Sequence, residues 1–182
     1  AWHPDWSFGE KPPAATILYG ITIPPHGGHT SFINQHKVLE AMPEELFDRL
    51  KDKVALHSAQ KGYAPDGLYG EQEKDANRGF KINFSDSAYA VQPHPIIRQH
   101  PETGEKCIYG CFGYIIGIEG MDESDAMALL EELYLWQTRE EFQYQHHWKA
   151  GMLIMWDNRS VLHKANGGYQ GYERVLHRTV VG

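Results

Sequence analysis

The sequence predicts a mainly β fold, a two-sheet sandwich or jelly roll with helices packed outside, on three observations. Short runs of β-branched and aromatic residues recur along the chain, punctuated by Pro and Gly turns. Two segments carry the 3.6-residue apolar spacing of amphipathic helices. Ten Tyr, seven Phe and five Trp supply the bulky side chains that a β-rich core and a pocket need.

Taken in order, residues 1–8 alternate enough to form a strand carrying His3 and Asp5, and Lys11-Pro12-Pro13 breaks it. Residues 14–23 (AATILYGITI) read as a second strand, Pro24-Pro25-His26-Gly27-Gly28 as a turn, and residues 30–33 as a short strand. Across 37–55, Val38, Leu39, Met42, Leu46, Leu50 and Val54 recur at helical spacing. Pro43 divides that stretch into two helices, and with Glu44 and Glu45 it makes a favourable first turn for the second. Residues 58–92 are polar and rich in Gly, Asp and Lys, and read as a lid or a flexible insert. Residues 94–98 and 106–109 form a hairpin around Pro101-Glu102-Thr103-Gly104. Asp122 or Ser124 caps a helix running to Gln137, with Leu129, Leu130, Leu133 and Trp136 on its buried face. Residues 142–148 form a strand, 151–156 (GMLIMW) a buried strand ending in the turn Asp157-Asn158-Arg159, and 174–181 the last strand. There are no repeats, and 1–182 is expected to be a single domain.

Hydrophobic content of 41% and charged content of 23% are those of a globular protein. A formal net charge of −7 argues against a nucleic-acid partner. No apolar run reaches the length of a membrane span, and the start has no signal-peptide pattern. Cys107 and Cys111 form no CxxC knuckle and could pair only locally, so a cytoplasmic location is expected. His3 lies so near the start that a chain missing an N-terminal portion is expected. Exposed sheet edges leave a homo-oligomer open.

The chemistry-bearing pattern begins with His3 and Asp5. On a strand, residues i and i+2 face one side, so an imidazole and a carboxylate there can take adjacent corners of an octahedral metal. A third ligand would complete the two-histidine, one-carboxylate face of non-haem Fe(II) sites. Alone, an H-x-D is common in a chain with 11 His and 24 Asp plus Glu, and reads first as an ordinary surface dipeptide. Far downstream stand His163, Arg174 and Arg178. The two arginines would share one strand face, where a buried guanidinium needs an anion. A dicarboxylate would satisfy one through a bidentate fork, and an anionic substrate the other. Read alone, both are expected to be solvated or paired with acids such as Glu173.

Together, W-H-P-D, P-P-A-A-T-I-L, G-G-H-T, H-P-I-I-R-Q-H-P-E-T-G, M-W-D-N-R-x-x-x-H and R-x-x-x-R stand in an order and spacing that resembles the taurine dioxygenase and chlorophenoxyacetate dioxygenase family across nearly the whole chain. The resemblance implies a double-stranded β-helix (jelly-roll) core and an Fe(II)- and 2-oxoglutarate-dependent dioxygenase that uses O2. It implies hydroxylation of a small anionic substrate, taurine or another sulfonate first, an alkyl sulfate or aryloxyalkanoate otherwise, coupled to decarboxylation of 2-oxoglutarate to succinate. His3, Asp5 and His163 match the iron ligands. Thr30 and Arg174 match the residues that hold the distal carboxylate of 2-oxoglutarate. Arg178 matches the arginine that holds the substrate anion, and Tyr63 and Tyr114 fall near aromatic substrate walls. The family also has a portion ahead of the H-x-D strand, and 58–92 matches no particular substrate group. A non-catalytic jelly roll binding a small acid and a zinc hydrolase on a similar sandwich are the competing classes. His94 and His177 are expected in the core or behind the ligands, the other histidines on the surface or in structural roles, Cys107 and Cys111 as buried hydrophobes, Trp156 in the core, and Asp157 and Asn158 in a turn.

Overall fold

The computed structural model describes residues 1–64 and 86–182. In chain order the strands and helices are β1 (Ala15–Thr22), β2 (Thr30–Asn34), α1 (Gln35–Glu40), α2 (Glu44–Leu50), β3 (Val54–Ser58), α3 (Gln60–Tyr63), β4 (Val91–Pro95), β5 (Ile97–Gln99), β6 (Lys106–Ile108), β7 (Ile115–Ile118), α4 (Glu123–Gln137), β8 (Gln143–His146), β9 (Leu153–Asp157), β10 (Val161–Ala165) and β11 (Val175–Val181). Short 3-10 turns precede β4 and β8.

One antiparallel sheet places β1 between β11 and β9, and a second places β2 between β10 and β8. The chain crosses between them repeatedly: β1 in the first, β2 and β8 in the second, β9 in the first, β10 in the second, β11 in the first. That winding is the jelly-roll arrangement expected from the sequence. A third sheet sets β3 between β4 and β7, and β5 pairs with β6 as a hairpin.

The pleat divides the β10-β2-β8 sheet into two unlike faces. Ile33 pairs with Leu162, and both turn to the main hydrophobic core, which includes Val38 of α1, Leu50 of α2, Ile115 of β7 and Leu129, Leu130 and Leu133 of α4. Thr30, Phe32 and His163 take the opposite face, where Phe32 meets Trp156 of the other sheet with ring centroids 5.3 Å apart. Asn34 caps α1 by accepting from His36 N and Lys37 N. Asp122 precedes α4 in extended backbone without a side-chain cap bond, and Glu123 and Asp125 set negative charge in its first turn. Among the described residues, no helix is long and apolar enough to cross a membrane.

Several expectations need correction. Residues 1–8 are not a strand: only His3 forms a ladder bridge, to His163, and a turn follows. The helical stretch expected to reach residue 55 ends at Leu50, because Val54 continues the apolar spacing while Ala55 and His57 are fully buried on β3, the central strand of its sheet. Strands β3, β7 and β10 add to those expected from the sequence. The 151–156 run is not buried throughout: Leu153 and Met155 lie on the outer face of β9, each 63% exposed. The two arginines do not share a buried strand face. Arg174 precedes β11 and is half-buried, while Arg178 lies on it with a side chain 40% exposed. His177 is exposed, since its outward position on β11 is set by its pairing with Tyr19. Of the 58–92 stretch, both ends are regular structure and residues 65–85 lie outside the described residues.

Leu162 is 1% exposed beneath the site-bearing sheet. Leu162→Ala is expected to lower stability by about 2–5 kcal/mol in urea unfolding. A loss below about 1 kcal/mol would show that this face is not closely packed.

Candidate metal centre

The site begins with an antiparallel bridge between residues near opposite ends of the chain. His3 N–H donates to His163 O at 3.1 Å, and His163 N–H donates to His3 O at 3.0 Å. The two imidazole rings stand 4.2 Å apart between centroids. Buried Cys111 donates its thiol to Trp2 O at 2.8 Å, anchoring the residue before His3. The turn after His3 brings Asp5 inward, and Trp6 accommodates that turn with φ +50°. Ligand atoms of His3, Asp5 and His163 then lie within 4.8 Å of one another.

Their electrostatics suit a divalent cation. His3 Nδ1 lies 3.0 Å from Ala1 O, which can only accept, so that nitrogen carries the proton and Nε2 offers a lone pair. Nε2 of His3 and of His163 stand 3.9 and 3.7 Å from Asp5 Oδ1, beyond hydrogen-bond reach. These contacts would be ion pairs only with protonated imidazoles, and burial opposes that. Burial lowers the pKa of His3 despite the Ala1 carbonyl and Asp5, and it pushes His163 down to about 3, aided by His3. Burial alone would raise the Asp5 carboxyl. The facing His163, the Thr16 hydroxyl and the Arg178 guanidinium outweigh it and hold the carboxyl below its usual value. Two neutral imidazoles and one anionic carboxylate therefore converge, a donor set that fits a non-haem divalent metal. His163 Nδ1 is a further buried polar atom without a hydrogen-bond partner.

Thr30 lies on the same sheet face as His163, one strand across and paired with Ala165. The Trp148 indole donates to Thr30 Oγ1 at 2.9 Å, which leaves the threonine proton free to donate elsewhere. Arg174 is held by its Nε, which donates to Gly28 O at 2.9 Å. The approach needs glycine: Gly28 has φ +66°, and a Cβ there would sit 2.9 Å from Arg174 Cδ. Burial lowers the Arg174 pKa, and among the described residues no carboxylate lies within ion-pair distance of it. A half-buried guanidinium in that state is suited to an incoming carboxylate.

Arg178 faces inward from β11 and forms an ion pair with Asp5 Oδ2 at 2.9 Å, with its guanidinium 5.5 Å from the Trp6 ring. Tyr63 and Tyr114 line a cavity of about 260 Å³ with His3, Lys61 and Phe112. The Tyr114 ring stands edge-on to His3 at 6.0 Å, and Phe8 bridges Tyr114 and Tyr63 at 4.8 and 6.0 Å. Burial raises the Tyr114 pKa, with the neighbouring Tyr63 adding to it, so its phenol stays neutral.

Two buried residues carry no sequence signal for the site: Thr16 donates to Asp5 Oδ2, and Asn158, expected only in a turn, donates its amide to Thr16. Trp156, expected in the core, is buried and also packs on His163 at 4.6 Å. Thr16 gives no signal inside a β-forming run; only its pairing with Trp156 places it beside the site. His94 bonds Ser7 O, and Cys107 and Cys111 are buried free thiols, as expected.

The fold and this donor cluster define a jelly-roll protein with a two-histidine, one-carboxylate centre. The chain belongs to the Taurine catabolism dioxygenase TauD, TfdA family, whose model matches residues 1–180. It is 32% identical over 179 residues to an alkylsulfatase of Acinetobacter baylyi, covering 98% of this chain and 55% of that protein. It is 31% identical over 165 residues to the alpha-ketoglutarate-dependent 2,4-dichlorophenoxyacetate dioxygenase of Cupriavidus pinatubonensis, covering 90% of this chain and 53% of that one. The chain thus spans about half the length of these relatives. Among solved structures, AAD-2 in complex with Mn(II) and N-oxalylglycine superposes with TM-score 0.81 at 28% identity, covering all of this chain and 68% of that one. A taurine dioxygenase from Burkholderia xenovorans gives TM-score 0.80 at 31% identity, covering 99% and 56%.

The buried imidazoles make stability pH-dependent. His57 is pushed down to about 3, mainly by burial and then by His94 and Arg98, and His163 likewise reaches about 3. Both are neutral when folded, whereas the unfolded chain binds their protons near pH 6.5. Stability is therefore complete above that pH and is lost as pH falls from 6.5 toward 3. At pH 5 each histidine is expected to cost about 2 kcal/mol relative to pH 8 in the metal-free protein. Denaturant unfolding at the two pH values checks this, and a flat profile would contradict it.

Proposed function

We propose that the protein is an Fe(II)- and 2-oxoglutarate-dependent dioxygenase that hydroxylates a small anionic substrate. The observation that carries the reading is the convergence of His3, Asp5 and His163 within 4.8 Å, in protonation states that bind a divalent metal. The names of the relatives support it: two are alpha-ketoglutarate-dependent enzymes acting on 2,4-dichlorophenoxyacetate and on a sulfate ester. Sulfonates, sulfate esters and aryloxyalkanoates share an anionic head on an oxidisable carbon chain, and that shared chemistry is the proposed substrate class.

His3, Asp5 and His163 would hold the metal by one face. Ferrous iron bound there with 2-oxoglutarate and O2 would supply the oxidising chemistry, decarboxylating the cosubstrate to succinate and carbon dioxide as a substrate C–H becomes C–OH. Arg174, presented by Gly28 O, and Thr30, with its proton free, would hold the distal carboxylate of 2-oxoglutarate. Arg178 engages Asp5 through one nitrogen, and the remaining donors of its fork are available to a substrate anion. Tyr63, Tyr114 and Phe8 would wall the substrate and exclude water beside His3. No side chain need act as a base, because the substrate loses hydrogen from carbon.

Succinate release from 2-oxoglutarate under Fe(II), oxygen and ascorbate, screened across sulfonates, sulfate esters and aryloxy acids, tests the proposal. His163→Ala is expected to abolish turnover, and retained activity would reject the ligand assignment. Arg174→Ala should raise the KM for 2-oxoglutarate by about 30-fold or more, as removal of one partner of a desolvated charge pair does. Arg178→Ala should raise the KM of the organic substrate instead, and the reverse pattern would exchange the two roles.

A further inference from the structure

We propose that Trp156, Asn158 and Thr16 form a one-directional hydrogen-bond relay that holds Asp5 as a single-oxygen ligand. The inference rests on the metal-site reading above. Its direction is forced from the far end. An indole N–H only donates, so the amide atom 3.0 Å from Trp156 Nε1 must be the oxygen of Asn158. The same oxygen also takes the Asp5 backbone N–H, at 3.4 Å. The amide nitrogen of Asn158 is then the group 2.8 Å from Thr16 Oγ1, so the threonine oxygen accepts there. Its one proton goes to Asp5 Oδ2, 2.5 Å away.

All three residues are buried, Thr16 completely, so water does not compete for these bonds. The Arg178 guanidinium adds an ion pair to the same oxygen at 2.9 Å. Oδ2 is thereby occupied on the side away from the imidazoles, while Oδ1 faces both His3 and His163. A carboxylate gripping with both oxygens would fill two positions of a six-coordinate ion. Gripping with one, it leaves three positions beyond the protein ligands. The relay thus decides how many positions remain for cosubstrate and oxygen. Trp156 has a second hold on the site, since its ring packs on His163. Trp156, Asn158 and Thr16 are positioning residues, acting through Asp5 and His163.

The test is Co(II) binding to the full chain, read by titration and by the visible absorption bands that report coordination number. Thr16→Val keeps the shape and removes the hydroxyl, whereas Thr16→Ser keeps the hydroxyl. The relay predicts that Thr16→Val weakens Co(II) binding on the order of 10- to 100-fold and alters the bands. Thr16→Ser should stay near the parent protein in both. Equal affinity in Thr16→Val and the parent, or equal losses in both variants, would overturn the relay. If Thr16→Val does not fold, Trp156→Phe removes the donor at the far end and must also weaken Co(II) binding; unchanged binding there overturns it. His163→Ala separates the two readings. Co(II) binding that is absent from the parent, or indifferent to His163→Ala, rejects the metal site itself. His163-dependent binding that ignores Thr16→Val rejects the relay alone.

Discussion

Everything at the site depends on the paired backbone bonds between His3 and His163. Such a bridge fixes two Cα atoms about 5.5 Å apart and sets the directions of their side chains. With that distance imposed, both imidazoles enter one small space, and the turn after His3 needs only to bring in a carboxylate. The cluster is therefore a product of long-range topology. It cannot form until the β10 strand has joined its sheet and the start of the chain has come to lie beside it.

The register of β10 on β2 is guarded by something other than the site. Ile33 and Leu162 are paired on the face that joins the hydrophobic core, and both are essentially inaccessible. A one-residue slip would carry Leu162 to the polar face and His163 into the core. Burying the imidazole among Val38, Leu50 and Leu130 would be costly, as would removing Leu162 from them. The apolar packing beneath the sheet thus enforces the placement of the His163 imidazole above it.

The parts of the fold legible in the sequence were those whose signal is local. Pro43 divided the helices, Pro101 to Gly104 marked the hairpin turn, and the leucine spacing of α4 marked its buried face. What failed was context. The β3 strand continued a helical apolar spacing by coincidence at Val54, and only its place in the middle of a sheet makes it extended. Leu153 and Met155 read as buried because an apolar run does not say which face is covered. At the site, His3, Asp5, His163 and Arg174 are legible only jointly, through the order of motifs that resembles the family; singly, each has an ordinary reading. Thr16 and Asn158 are not legible even so, because a hydroxyl in a strand and an amide in a turn have ordinary local uses. Their part in the site is visible only once β1 and β9 are paired, with Thr16 opposite Trp156.

The close contact between the 24–29 loop and the 166–174 loop has a bearing on how freely this region can be redesigned. Gly28 N–H donates to Gly167 O at 2.9 Å, and a Cβ on Gly27 would fall 2.3 Å from Gly168 O. The first loop thus has no room for side chains along this seam. Gly167 has nothing within 4 Å of its own Cβ position. Diversity introduced to reshape the neighbourhood of Arg174 can be accommodated on the second loop, at Gly167, and would be rejected sterically on the first.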